Sequence, residues 1–103
     1  MEKVWIAKYK VFVKEDSALA RIAAWKLNSK NVAMVLRNTI HLYGVSTADF
    51  LNNERWLKHE LKHVEQYQQN GTIPFLVKYV IESMKSGYYD NKYEKEAREA
   101  EQL

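Results

Sequence analysis

Cysteine is absent from this chain, and its absence removes two chemistries together. There is no disulfide framework and no thiolate metal site, so any transition metal must use His, Asp or Glu. Proline occurs once and glycine three times in 103 residues. That scarcity leaves no linker, repeat or low-complexity segment, and it predicts one domain over residues 1–103. No stretch approaches the ~18 consecutive apolar residues that a bilayer span needs, so no membrane partner is expected. The first fourteen residues are interrupted by Lys3, Lys8, Lys10 and Lys14. They lack the apolar segment of a secretory signal, which makes the cytoplasm the expected compartment. A block of one-signed charge is missing too. Sixteen Lys and Arg face thirteen Asp and Glu, for a net charge of +3, but the signs are interleaved, most densely from Lys92 to Glu101. A nucleic-acid backbone is gripped by clustered positive charge, so no nucleic-acid partner is expected.

What is present suits a soluble fold: 47% of the residues are hydrophobic and 28% charged. A chain of this size buries roughly 60–70% of its unfolded surface, enough for a core without covalent staples. Val4 to Val13 alternates, with Trp5, Ala7, Tyr9, Val11 and Val13 on one side, and predicts a half-buried strand. Asp16 or Ser17 can cap a helix over Ala18 to Leu27, where Leu19, Ile22, Ala23 and Lys26 recur at helical spacing. Val32 to Tyr43 again has period two and predicts one longer strand, or two broken near Asn38. Val32, Met34, Leu36, Ile40 and Leu42 are expected on one face, opposite Arg37, Thr39, His41 and Tyr43. The rest reads as helix. One helix covers Phe50 to Asn70 and stops at Gly71; a second begins near Thr72 and Pro74 and ends at Gly87. A last one is capped by Asn91 and reaches Gln102. Phe75, Leu76, Tyr79, Val80 and Met84 form an expected core stripe. The fold class is α+β, a small N-terminal sheet with one helix followed by three helices.

The first of those three helices contains His59-Glu60-Leu61-Lys62-His63. Residues four apart stack on one helix face, so His59 and His63 can aim two imidazole nitrogens at one point. Zinc accepts such a pair and needs a third protein ligand, with a fourth position left for water. Glu60 stands beside the pair, where it can take a proton from that water. On a helical wheel Leu57, Leu61 and Val64 gather about 140–200° from His59, and Lys58, Lys62, Glu65 and Gln69 lie on the other side. The two histidines occupy the sector between, with Trp56, Glu60 and Tyr67, as the wall of a cleft would. A carboxylate on the last helix, which begins Tyr93-Glu94-Lys95-Glu96, can return to the same metal. Glu94 also stands three residues after Asn91, where a capping box places an acid. Glu96 and Glu99 fall elsewhere on that helix and are expected in surface pairs.

The run HELKHVEQ (His59 to Gln66), the aromatic-rich Phe75 to Met84, Gly87-Tyr88 and the ending Glu94 to Arg98 resemble the gluzincins. These are metallopeptidases with two His and a distant Glu on zinc, and the likeness is to their very short bacterial members, the minigluzincins. It covers roughly Thr39 to the end of the chain. The resemblance implies a minimal zincin-like domain, zinc held by His59, His63 and Glu94, and Glu60 as general base for peptide hydrolysis. It also implies a peptide or protein substrate added as a strand along Thr39, Ile40, His41, Leu42 and Tyr43, taken as the sheet edge. His41 is expected to be an ordinary strand residue. Tyr88, Tyr89 and Tyr43 are candidate donors to an oxyanion. Better-known gluzincins often carry Asp four residues after the ligand Glu, orienting a zinc histidine; here that position is Arg98. The alternative reading is a catalytically silent zincin-fold interaction or regulatory module, with or without zinc, and a larger protein partner is left open.

Overall fold

A computed structural model describes residues 2–6 and 9–103 and divides into two units, Met1–Asn53 and Glu54–Leu103. The order is that of an α+β chain, a small four-stranded sheet followed by helices. Among the described residues no helix is long and apolar enough to cross a membrane.

In the first unit β1 (Glu2–Ile6) and β2 (Tyr9–Lys14) form an antiparallel hairpin, then come α1 (Ala18–Leu27), β3 (Val32–Leu36), β4 (Thr39–Tyr43) and the short α2 (Thr47–Asn52). The sheet order is β1-β2-β4-β3, with β2 and β4 parallel. The single strand expected over Val4 to Val13 is therefore two. Ala7 and Lys8, which separate them, lie outside the described residues. Each hairpin exchanges the faces of an unbroken alternation, because its strands are joined across two residues: Ile6 pairs with Tyr9 and Leu36 with Thr39. Val32 and Met34 thus lie opposite Tyr43 and His41, whereas Ile40 and Leu42 take the other face with Val35 and Ala33. The expected grouping of Val32, Met34 and Leu36 with Ile40 and Leu42 is corrected accordingly. A second correction concerns Thr39–Tyr43. This strand is no edge: β2 pairs with it on one side and β3 on the other, so its backbone is engaged and no peptide can add along it.

Ser17 caps α1 as expected, its hydroxyl accepting from the Ala20 amide, and its own amide donates to the Leu42 carbonyl. The helix buries Ala20 and Ala24 against Val32, with Met34 and Tyr43 alongside. Small residues permit this close approach, and the expected face of Leu19 and Ile22 points to solvent instead. The opposite face of the sheet buries Val11, Val13, Ile40 and Leu42 almost completely. At the end of β4, Gly44 has φ +78°, and a Cβ there would strike the Lys30 carbonyl oxygen at 2.1 Å. Only glycine fits that turn.

The second unit consists of α3 (Glu54–Asn70), α4 (Thr72–Asp90) and α5 (Lys92–Ala100). The helix expected over Phe50 to Asn70 is divided, because Asn53 takes an extended backbone between α2 and α3. Gly87, at φ 79° and ψ 170°, kinks α4 near its predicted end. An aromatic cluster holds the three helices: Phe75 packs edge-on against Tyr67 (4.6 Å between centroids) and Tyr93 (5.0 Å), and Tyr93 stacks with Tyr79. The core stripe expected on α4 is only half correct. Phe75 is buried, while Val80 and Met84 are 53% and 82% exposed. Asn91 is fully buried; it accepts from the Tyr93 amide and donates to the Tyr79 carbonyl and Ser83 Oγ. One side chain thus caps α5 and ties it to α4.

Candidate metal centre

The site lies wholly within the second unit. His59 and His63 sit one turn apart on α3, with ring centroids 5.2 Å apart. Glu94 enters from the first turn of α5, its start fixed by the Asn91 cap. His59 Nε2 is 3.0 Å from Glu94 Oε1, and His63 Nε2 is 3.2 Å from the same carboxylate. One ligand atom from each residue falls within 4.8 Å of the others. In a tetrahedral zinc site with N and O ligands, neighbouring donor atoms are about 3.3 Å apart, so the donors already approach the required spacing. Glu94 forms no capping box: the Asn91 amide donates to the Tyr88 carbonyl, and the Glu94 carboxylate turns to the histidines.

Both imidazoles are held from behind. Gln66 Nε2 donates to the Tyr93 carbonyl at 3.1 Å and to Glu96 Oε1 at 2.9 Å, which leaves Gln66 Oε1 to accept from His63 Nδ1 at 2.9 Å. The amide has one orientation that satisfies all three contacts, and it puts the proton of His63 on Nδ1. His59 Nδ1 meets Glu101 Oε2 at 2.7 Å, again an acceptor. With both Nδ1 atoms engaged as donors, the Nε2 atoms are the ones available to a metal. Tyr79 donates to Glu94 Oε2 at 2.5 Å and so occupies the carboxylate oxygen farther from His59.

The charges are strongly coupled. Burial acts to raise the Glu94 carboxyl, but hydrogen bonds from His59, His63 and Tyr79 outweigh it and hold the group well below the usual carboxylate range. Burial pulls His59 down, yet its bonds to Glu94 and Glu101 and the charge of Glu60 hold it up at about 9. His63 is raised in the same contest between burial and Glu94. Glu60, buried beside both rings, is pushed up to about 7 by burial, against the pull of His63 and His59. A buried anion between two imidazoles, with no thiolate in the chain, is a donor set that zinc fits.

The structure brings His59, Glu60, His63 and Glu94 together, and it gives the three tyrosines different surroundings. Tyr88 is 65% exposed as a residue, while burial of its hydroxyl, then the charges of Glu94 and Glu60, push that group up to about 12. Tyr89 turns to Arg98, whose guanidinium lies 4.1 Å over its ring and donates to its carbonyl. Tyr43 packs in the first unit on the cluster of Ala20, Ala24 and Val32. Three site residues escaped the sequence reading: Gln66, Tyr79 (expected only in the core) and Glu101. Spacing carried a signal for two of them, since Gln66 is three residues after His63 and Glu101 seven after Glu94, each on the same helical face as its neighbour. Glu96, expected in a surface pair, instead accepts from Gln66. Compared with known proteins, the chain matches no family model, no curated protein and no solved structure.

Proposed function

We propose that this protein is a zinc-dependent hydrolase of the gluzincin type that cleaves peptide bonds. The observation that carries the reading is the convergence of His59, His63 and Glu94 around one point, with Glu60 buried alongside. His59 and His63 would hold the metal through Nε2 and Glu94 through one carboxylate oxygen. Bound zinc supplies a Lewis acid that lowers the pKa of water and polarises a carbonyl. The remaining chemistry belongs to the chain. Glu60, raised toward neutrality by burial, is poised to accept a proton from the attacking water and return it to the leaving amine. Tyr88, whose hydroxyl is kept protonated by burial and then by the charges of Glu94 and Glu60, can donate to the oxyanion. Tyr79 stays protonated for the same reason and fixes Glu94. The choice of a peptide substrate follows from the resemblance of His59 to Gln66 and Glu94 to Arg98 to the gluzincins.

The Glu60→Gln variant tests the mechanism. It keeps the side-chain shape and removes the base, so hydrolysis of a peptide library should fall by about 10²–10⁴ while zinc binding persists. Full activity in this variant would overturn the role of Glu60.

A further inference from the structure

The position four residues after Glu94 carries Arg98, and a cation there cannot accept a hydrogen bond from a zinc histidine. Arg98 is occupied elsewhere, stacked on Tyr89 and donating to its carbonyl. The acceptor comes instead from one turn further along. Glu101 stands at the C-cap of α5 in helical conformation, seven residues and two turns from Glu94, so the two carboxylates share a face. Its two oxygens have different partners. Oε2 lies 2.7 Å from His59 Nδ1, and Oε1 lies 3.5 Å from Arg55 Nη2, one turn before His59 on α3. His59 thus bridges two carboxylates of α5, Glu94 at Nε2 and Glu101 at Nδ1, and His63 is braced in parallel by Gln66.

We propose that Glu101 is the positioning carboxylate of the metal centre, fixing His59 as its Nδ1–H tautomer and aiming Nε2 at the ion. The role rests on the zinc reading given above. A carboxylate behind a ligating imidazole prevents ring rotation and raises the ligand's basicity; loss of such a partner costs about 10- to 100-fold in metal affinity. Glu101 therefore belongs to the centre although it touches neither metal nor substrate. In this chain the end of α5 performs the task that position 98 is free of, and Arg98 secures the Tyr88–Tyr89 segment.

The test is zinc affinity of the full chain by competition with a chromophoric chelator, together with the His59 Nδ1–H proton signal in the ¹⁵N-labelled zinc form. Glu101→Ala should bind zinc about 10- to 100-fold more weakly than wild type and lose the Nδ1–H signal to exchange with water. Glu101→Gln retains an acceptor and should keep the signal, shifted, with a smaller loss of affinity. Glu99→Ala removes the same charge from an exposed position of the same helix and should leave both readouts unchanged. Should Glu101→Ala fail to fold, the Gln variant decides, because an unshifted signal with wild-type affinity would overturn the proposal. So would wild-type affinity in a folded Glu101→Ala. A wild-type chain that takes no zinc refutes the centre itself, a result distinguishable from either variant outcome.

Discussion

The two units each place a histidine against a buried partner, and the partners give the rings opposite characters. In the first unit His41 Nδ1 lies 2.7 Å from the hydroxyl of Ser17, a neutral group that also accepts from the Ala20 amide. Whichever of the two donates, the hydroxyl brings no negative charge to the ring. Burial and then the charge of Lys14 pull this histidine down, toward the neutral form. In the second unit His59 and His63 meet carboxylates, which overcome burial and hold them up. Burial alone does not distinguish a structural histidine from a ligand. The sign of the surrounding charge does, because a metal cation needs a site already built for positive charge.

The sharpest way to break this contrast is the pH dependence of stability in the metal-free protein. His59, His63 and Glu60 all have folded-state values above their ordinary ones. At neutral and alkaline pH, where the depressed Glu94 is ionised in both states, the folded second unit binds more protons than the unfolded chain, and its stability should fall as the pH rises through about 7 for Glu60 and on to about 9 for His59. His41 works in the other direction. Its folded value lies below 6.5, so its contribution is present above that pH and is lost as the pH falls below it. Hydrogen exchange across a pH series separates the two, following amides of α3 and α5 for one and those of α1 for the other. Parallel responses in both units would contradict the assignment. The smallest effect belongs to Ser17→Ala, which should destabilise the first unit by about 1 kcal/mol through loss of the α1 cap and leave zinc affinity unchanged, as read by urea denaturation and metal titration.

How far these features could be read from sequence follows the same division. The convergence of His59, His63 and Glu94 was legible because a helix turns spacing directly into direction: four residues bring His59 to His63, and the Asn91 cap sets the phase of Glu94. The α1 cap and the Asn38 break were legible for similar local reasons. The first hairpin and the facing of the second were not, because a two-residue connection lets a hydrophobic alternation run on while the chain reverses, without an Asn-Gly or Gly-Gly signal. Residues 4–13 consequently read as one strand, and 39–43 as an edge, a matter decided by which strands pair at long range. The apolar residues of α1 and α4 misled for another reason. Alanine at positions 20 and 24 permits a closer helix-sheet contact than Leu19 or Ile22 would, and amphipathic spacing alone does not say which apolar face is covered. Glu101 and Gln66 were hidden because a brace is recognised only after the atom it braces has been placed.

The central claim is tested most directly by elemental analysis of the purified chain beside its His63→Ala variant, after dialysis against zinc and removal of excess. About one zinc per chain is expected in the wild type and none in the variant. No zinc in either protein, or equal zinc in both, would contradict a metal centre at His59, His63 and Glu94.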